Sequence, residues 1–129
     1  MNRQAIFNAA VLGLRQQQAF SIVEREDQSK QCRYRGDNNT RCAVGFLIPD
    51  DNYDEDLEAR SASSHGVTRA IGSEYGVPHE YDQSDYIFLS NLQYELHDSL
   101  SMDNAKFNSD VFEQAVRHFA ASNQLEIPA

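Results

Sequence analysis

The chain has 129 residues, 40% of them apolar, with 7 Phe and 6 Tyr. That length suits one domain with a core of its own and is too short for two ordinary ones. Its net charge of −9 is unevenly placed: residues 1–49 carry 7 basic and 4 acidic groups, residues 50–129 carry 4 and 16, which disfavours direct binding to a nucleic-acid phosphate backbone and suits encounters with basic surfaces.

Arg3 to Gln18 reads as the first helix. Ile6, Phe7, Ala10, Val11 and Leu14 recur at helical spacing and make one apolar stripe. The same N-terminal stretch lacks the uninterrupted apolar run of a signal peptide, and no segment approaches the 18 apolar residues of a membrane span. Cytoplasmic location and reduced thiols are therefore expected. Phe20 and Ile22 tuck back towards the first helix, and Glu24 to Lys30 is a polar, aperiodic surface loop.

Cys32 to Asp50 is the stretch around which the chain is organised. It holds both cysteines, three arginines, a tight turn and the densest apolar run. Gln31 to Arg35 reads as a short strand and Gly36-Asp37-Asn38-Asn39 as a turn, since these residues tolerate left-handed backbone and Asp and Asn close turns onto the main chain. Together they predict a hairpin-like excursion over 31–42. Thr40 is placed to cap the next segment. Cys42 to Ile48 is either a short buried helix or a buried strand; Thr40 and Ala43 favour the helix, and Pro49 ends it either way.

Asp50 to Glu58 is acidic and predicts one short exposed helical turn, followed by a small-residue loop at Ser61 to Ser64. His65 to Tyr75 predicts a second helix packed through Val67, Ala70 and Ile71, closed by Gly76 and Pro78. After a linker at His79 to Gln83, Ser84 to Asp98 carries the stripe Phe88, Leu89, Leu92 and Leu96, capped by Ser84 or Asp85. Leu100 to Phe107 connects to a last helix. There Asp110 and Glu113 have capping-box spacing, Val111, Phe112, Ala115, Val116 and Phe119 face inward, and the end lies near Ala121. Gln124 to Ala129 is a tail. The fold class is mainly α, with α+β as the alternative: three to four helices around one core, in one domain spanning 1–129, with the small excursion at 31–42.

Cys-x-Tyr-Arg-Gly at 32–36, Arg-Cys-Ala-Val-Gly at 41–45 and Leu-Ile-Pro-Asp-Asp at 47–51 with Tyr53 form the most distinctive pattern of the chain. With Leu89-Ser90-x-Leu92-Gln93, His97-Asp98 and Gln4-Ala5-Ile6-Phe7, it resembles a family of small phage and prophage proteins to which no reaction is assigned. Phe46 departs from that family, whose members often carry a small or thiol residue there. The resemblance implies a phage-encoded accessory protein in the host cytoplasm. Such proteins commonly bind a host protein, for example a component of a CRISPR-type defence, and inhibit it.

Each chemical motif has a plain reading beside the functional one. Cys32 and Cys42, with His97, form a redox pair, half a zinc site or an assisted nucleophile in one reading. The scattered histidines lack zinc spacing and no base lies nearby in sequence, so packing is preferred for Cys42. Asp50, Asn52, Asp54, Asp56 and Glu58 alternate like a calcium loop, but Glu55 and Ser61 stand where glycine and glutamate are needed. His97, with Glu95 and Asp98, reads as an acid/base set or, preferably, as a histidine settled by the helix dipole.

No cofactor or metal is expected. The candidate partner-binding residues are Asp50, Asp51, Asp54, Glu55, Asp56 and Glu58 together with Arg33, Arg35 and Arg41. The arginines make either a basic patch or, by the preferred reading, ion pairs with the acids at 50–58. The favoured function is non-catalytic binding through an acidic surface to a host protein that itself has a basic, nucleic-acid-binding face. The alternatives are a small thiol or metal enzyme using Cys42, Cys32 and His97, and an oligomerising phage module.

Overall fold

The computed structural model describes residues 1–27, 29–102 and 105–129. Gln28 of the 24–30 loop, and Asp103 and Asn104 of the 100–107 connection, lie outside the described residues. The architecture is mainly helical with one small antiparallel hairpin. Among the described residues no helix is long and apolar enough to cross a membrane.

Helix α1 spans Arg3–Gln17. The Asn2 side chain accepts the Ala5 N–H at its start, and Gln18, in left-handed backbone with φ 54°, closes its end. Ile6, Phe7, Ala10, Val11 and Leu14 are all fully buried. Phe7 stacks on Phe119 of α4 (Ser109–Asn123) at 5.7 Å. Burying a large apolar side chain of this kind contributes about 1.5–3 kcal/mol before the entropy of ordering it.

Helix α4 begins at Asn108, which accepts the Val111 N–H; Asp110 is in the first turn and is not the cap. Glu113 is drawn instead to Arg15, which holds both its carboxylate oxygens at 2.6 and 2.9 Å. The helix runs on to Asn123, and the tail beyond it is tied down. Arg15 donates to the Pro128 carbonyl, while Gln4 exchanges two hydrogen bonds with Glu126.

The Arg15 hydrogen bond lowers the pKa of Glu113 below the ordinary carboxylate range. In the folded protein Glu113 therefore stays charged at a pH where the unfolded chain has taken up the proton. Its stabilisation is fully present above the ordinary carboxylate pKa and drains away as pH falls through the lowered value. Urea unfolding of the native chain and Glu113→Gln should differ most near neutrality, and the gap should close towards about pH 2. A gap that widens in acid would contradict the pairing.

The loop expected at 24–30 is flanked by strands. β1 (Ile22–Glu24) pairs antiparallel with β2 (Lys30–Cys32), Ile22 opposite Cys32. Three residues per strand are too few for a period-2 pattern to show in the sequence. The 31–42 excursion shares Gln31 and Cys32 with β2. It is closed by a single antiparallel bridge between Arg35 and Arg41 and by the Gly36 N–H on the Thr40 carbonyl. Asn38 and Asn39 turn it through left-handed backbone, φ 60° at each.

Thr40 does not cap the 42–48 segment: its hydroxyl donates back to the Asp37 carbonyl at 2.7 Å. The cap position falls on Ala43, with no side-chain bond, and the Cys42 sulfur accepts the Gly45 N–H at 3.4 Å. Val44–Leu47 is a 3₁₀ turn, so the helical alternative holds for 42–48, and Ile48 is extended ahead of Pro49. Cys42, Ala43, Val44, Leu47 and Ile48 are buried. A Cβ at Gly45 would fall on the Tyr34 carbonyl oxygen, so only glycine lets this wedge lie against the 32–36 segment.

Asp50 to Glu58 folds as two 3₁₀ turns, Asp50–Asn52 and Glu55–Ala59. Helix α2 is shorter than its apolar pattern predicts, His65–Ala70. Ile71 turns extended, and the Gly72 N–H bonds the Leu47 carbonyl at 2.9 Å instead of continuing the helix. A separate 3₁₀ turn, Ser73–Tyr75, ends at Gly76 with φ 65°. Helix α3 spans Gln83–Gln93 and is capped by Asp82, ahead of the expected caps; Asp85 pairs with Arg3. It widens into a π-helical turn, Tyr94–Asp98. Such turns recur at functional sites, and this one carries His97 and Asp98.

Candidate functional site

Two groups of sequence-selected residues meet in the structure, on either side of the 32–36 segment. The first is a buried hydrogen-bond relay at the end of α3. His97 is fully buried. Its Nε2 lies 2.8 Å from the Ser21 backbone nitrogen. A backbone N–H can only donate, so Nε2 is the acceptor and the proton of the neutral ring is on Nδ1. Nδ1–H then donates to Asp98 Oδ1 at 2.9 Å. On the other side, the Val44 N–H donates to Gln93 Oε1, and Gln93 Nε2 donates to the same Asp98 Oδ1, each at 2.8 Å. Two donor chains therefore converge on one carboxylate oxygen. They join the hairpin, the 42–48 wedge and α3 through groups that would otherwise be buried unsatisfied. Phe20 covers the ring edge-on at 5.4 Å.

This geometry corrects the helix-dipole reading of His97, which is an interior linker and not a surface cation. It also weighs against the acid/base reading, because the one lone pair of the ring already accepts from Ser21. Cys32 stands beside this relay. Its sulfur lies 3.1 Å from Ser101 Oγ, whose own proton goes to the Asp98 carbonyl at 3.0 Å. The hydroxyl lone pair is thus left for the thiol proton. Burial pushes the Cys32 thiol pKa up, and the Asp98 charge adds to it. Burial raises Cys42 much further. Neither sulfur is set up as a thiolate nucleophile.

Ligand atoms of Cys32, His97 and Asp98 lie within 4.8 Å of one another, close enough to suggest a metal. The donor set does not fit one. A metal-bound histidine gives its second ring N–H to an acceptor, whereas the second nitrogen here faces the Ser21 donor. Binding through Nδ1 would leave an imidazolate.

The second group is the arginine and acid set. Asp50 takes Arg35 at 2.8 Å and Arg41 at 2.9 Å. Arg33 reaches Glu55 at 3.2 Å and Glu58 at 3.6 Å. Arg35 also donates to the Ile48 carbonyl and lies over the Tyr53 ring. No separate basic patch is left from Arg33, Arg35 and Arg41: each is paired with acids at 50–58.

Glu58 is the hub of this set. Its side chain is 9% exposed, and it accepts the Tyr34 and Arg35 backbone N–H groups and the Tyr53 hydroxyl. It is therefore an internal strut and not part of a binding face. Asp51, Asp54, Glu55 and Asp56 remain exposed, Asp54 also capping the second 3₁₀ turn through the Asp56 N–H. Sequence reasoning missed Gln93, Ser21 and the role of Glu58. The available signal was the polar pair Gln93 and His97, four apart and each next to a stripe leucine, which places both on the buried face.

Between the two groups opens a cavity of about 240 Å³. Cys32, Cys42, Glu58, Gln93, Tyr94 and Asp98 contribute to its wall. The two cysteines thus share a cleft, although Cys42 itself is 0% exposed and packs in the core. No family model, curated protein or solved structure matches the chain.

Proposed function

We propose that this chain is a non-catalytic binding protein, a phage-encoded accessory protein of the host cytoplasm that engages and inhibits a host protein through its acidic exterior. The observation that carries the reading is the disposition of charge. The three arginines of the 33–41 segment are neutralised within the fold, while Asp51, Asp54 and Asp56 stay exposed with no cation paired to them among the described residues. The outward field of a chain with net charge −9 is therefore negative, and its complement is a basic surface such as nucleic-acid-binding proteins present. The resemblance to small phage proteins supplies the biological setting.

The enzyme alternative has less support, since its thiols are held protonated by burial and the lone pair of its histidine is occupied. Capture from host lysate across a salt series tests the proposal. Exposed carboxylate contacts weaken as salt screens them, so retention should fall steeply between about 0.05 and 0.5 M salt. The Asp51→Asn/Asp54→Asn/Asp56→Asn variant should release the partner at lower salt than the native chain. Retention insensitive both to salt and to these substitutions would dismiss the acidic face.

A further inference from the structure

We infer that the cavity between the 32–34 segment and the end of α3 is a socket for a guanidinium or ammonium group, supplied by an arginine or lysine side chain of the partner protein. This deepens the proposed binding function and rests on its basic partner.

Half of the Asp98 carboxylate is unused by the fold. Oδ1 accepts from both His97 and Gln93, whereas Oδ2 accepts from no N–H or O–H group among the described residues, the Cys32 thiol being the one weak donor near the carboxylate. Asp98 lines the cavity, and its side chain is 36% exposed. The internal donors hold the carboxylate rigidly, with one oxygen left over, which is the preorganised acceptor that a cationic N–H donor needs.

The other walls suit a cation with an alkyl stem. Tyr94, 53% exposed, brings an aromatic ring to the cavity, and such rings attract cations at their faces. Cys42 and Ala62 give an apolar lining. The basic residues at the wall do not cancel the site: Arg33 is turned to Glu55 and Glu58, and the Arg60 guanidinium lies against Gly66 of α2. Glu58, with three donors of its own, contributes charge without competing for the ligand. A volume of about 240 Å³ accommodates one such head group and its stem but no folded segment.

The probe is ethylguanidinium chloride, titrated into ¹⁵N-labelled protein against potassium chloride at matched ionic strength. The expected result is saturable shifts of the Gln93 side-chain amide and the Tyr94 amide that potassium chloride does not reproduce. Asp98→Asn is the deciding variant. Its Oδ1 can still accept from His97 and Gln93, while an NH₂ group replaces the unused oxygen, so the fold is retained and affinity should fall about tenfold or more. Tyr94→Ala, at an exposed position, should also weaken binding.

Equal shifts with potassium chloride, or unchanged affinity in Asp98→Asn, would overturn the socket. A second arm separates the sources: an end-blocked Gly-Arg-Gly peptide should bind at least as well as free arginine. The reverse preference would assign the cavity to a free metabolite and overturn the partner side chain. Loss of salt-sensitive capture with the socket intact would point to the acidic face as the failed part. Intact capture by Asp98→Asn would point to the socket.

Discussion

Replacing Glu58 with alanine should lower the unfolding free energy by about 3–5 kcal/mol, the range found when one partner of a buried, hydrogen-bonded charge set is removed. Three groups lose their acceptor at once, and Arg33 loses one of its two ion-pair partners. The Tyr34 and Arg35 amides sit 2.8 and 3.1 Å from its two oxygens, the Tyr53 hydroxyl sits at 2.6 Å, and Arg33 lies beside it. The Tyr53 phenol, pushed up to about 12 by burial and by its bond to Glu58, stays protonated as the donor throughout the physiological range. Thermal unfolding should register the loss as a fall in Tm of roughly 10 °C or more for a chain of this size. Glu58→Gln should not rescue it, because the glutamine NH₂ must face at least one donor. A loss below about 1 kcal/mol would mean that the 32–36 segment is held by its backbone bridge and packing alone.

His97→Leu carries the second large expected effect, a loss of about 2–4 kcal/mol from leaving the buried Ser21 N–H without an acceptor and removing one donor from Asp98. His97→Gln should lose less. Its Oε1 reaches the position of the ring Nε2 and can still accept from Ser21, although the bond to Asp98 is given up. Cys32→Ser should change stability by under about 1 kcal/mol, since a hydroxyl can donate to Ser101 as the thiol does. Equilibrium urea unfolding of the three variants distinguishes a structural relay from a reactive one. A stable His97→Leu protein that loses its biological effect together with Cys32→Ser would restore the thiol enzyme.

Both sets of substitutions act on the same architectural problem. The 32–48 segment contributes few regular backbone hydrogen bonds, because β2 ends at Cys32 and its helical parts are two short 3₁₀ turns, Asp37–Asn39 and Val44–Leu47. Its amides at Tyr34, Arg35 and Val44 are satisfied by side chains from elsewhere, Glu58 and Gln93. A segment of this kind is only as stable as those distant acceptors, which is why single polar substitutions are expected to exceed the cost of most surface changes.

Local sequence was enough to specify the helices whose apolar stripes are long. α1, α3 and α4 have faces set by residues three and four apart, and every position of the α1 stripe is buried, whereas Val111, expected on the inward face of α4, is exposed. It was also enough to make 42–48 interior and to end it at Pro49, since both depend on local composition and backbone sterics. Other features needed the packed chain. The hairpin at 22–32 has strands too short to show a period, and the end of α2 at Ala70 depends on one long-range bond from Gly72 to Leu47.

The roles of Glu58, Gln93 and His97 depend on which orphan amides come to face them. Ser21 and His97 are 76 positions apart, and Val44 and Gln93 are 49 apart. Polar side chains look alike in a sequence whether they meet water or a buried donor. Only the packed fold assigns the partner, because a hydrogen bond is directional and effective over about 3 Å, whereas apolar burial needs only the right face.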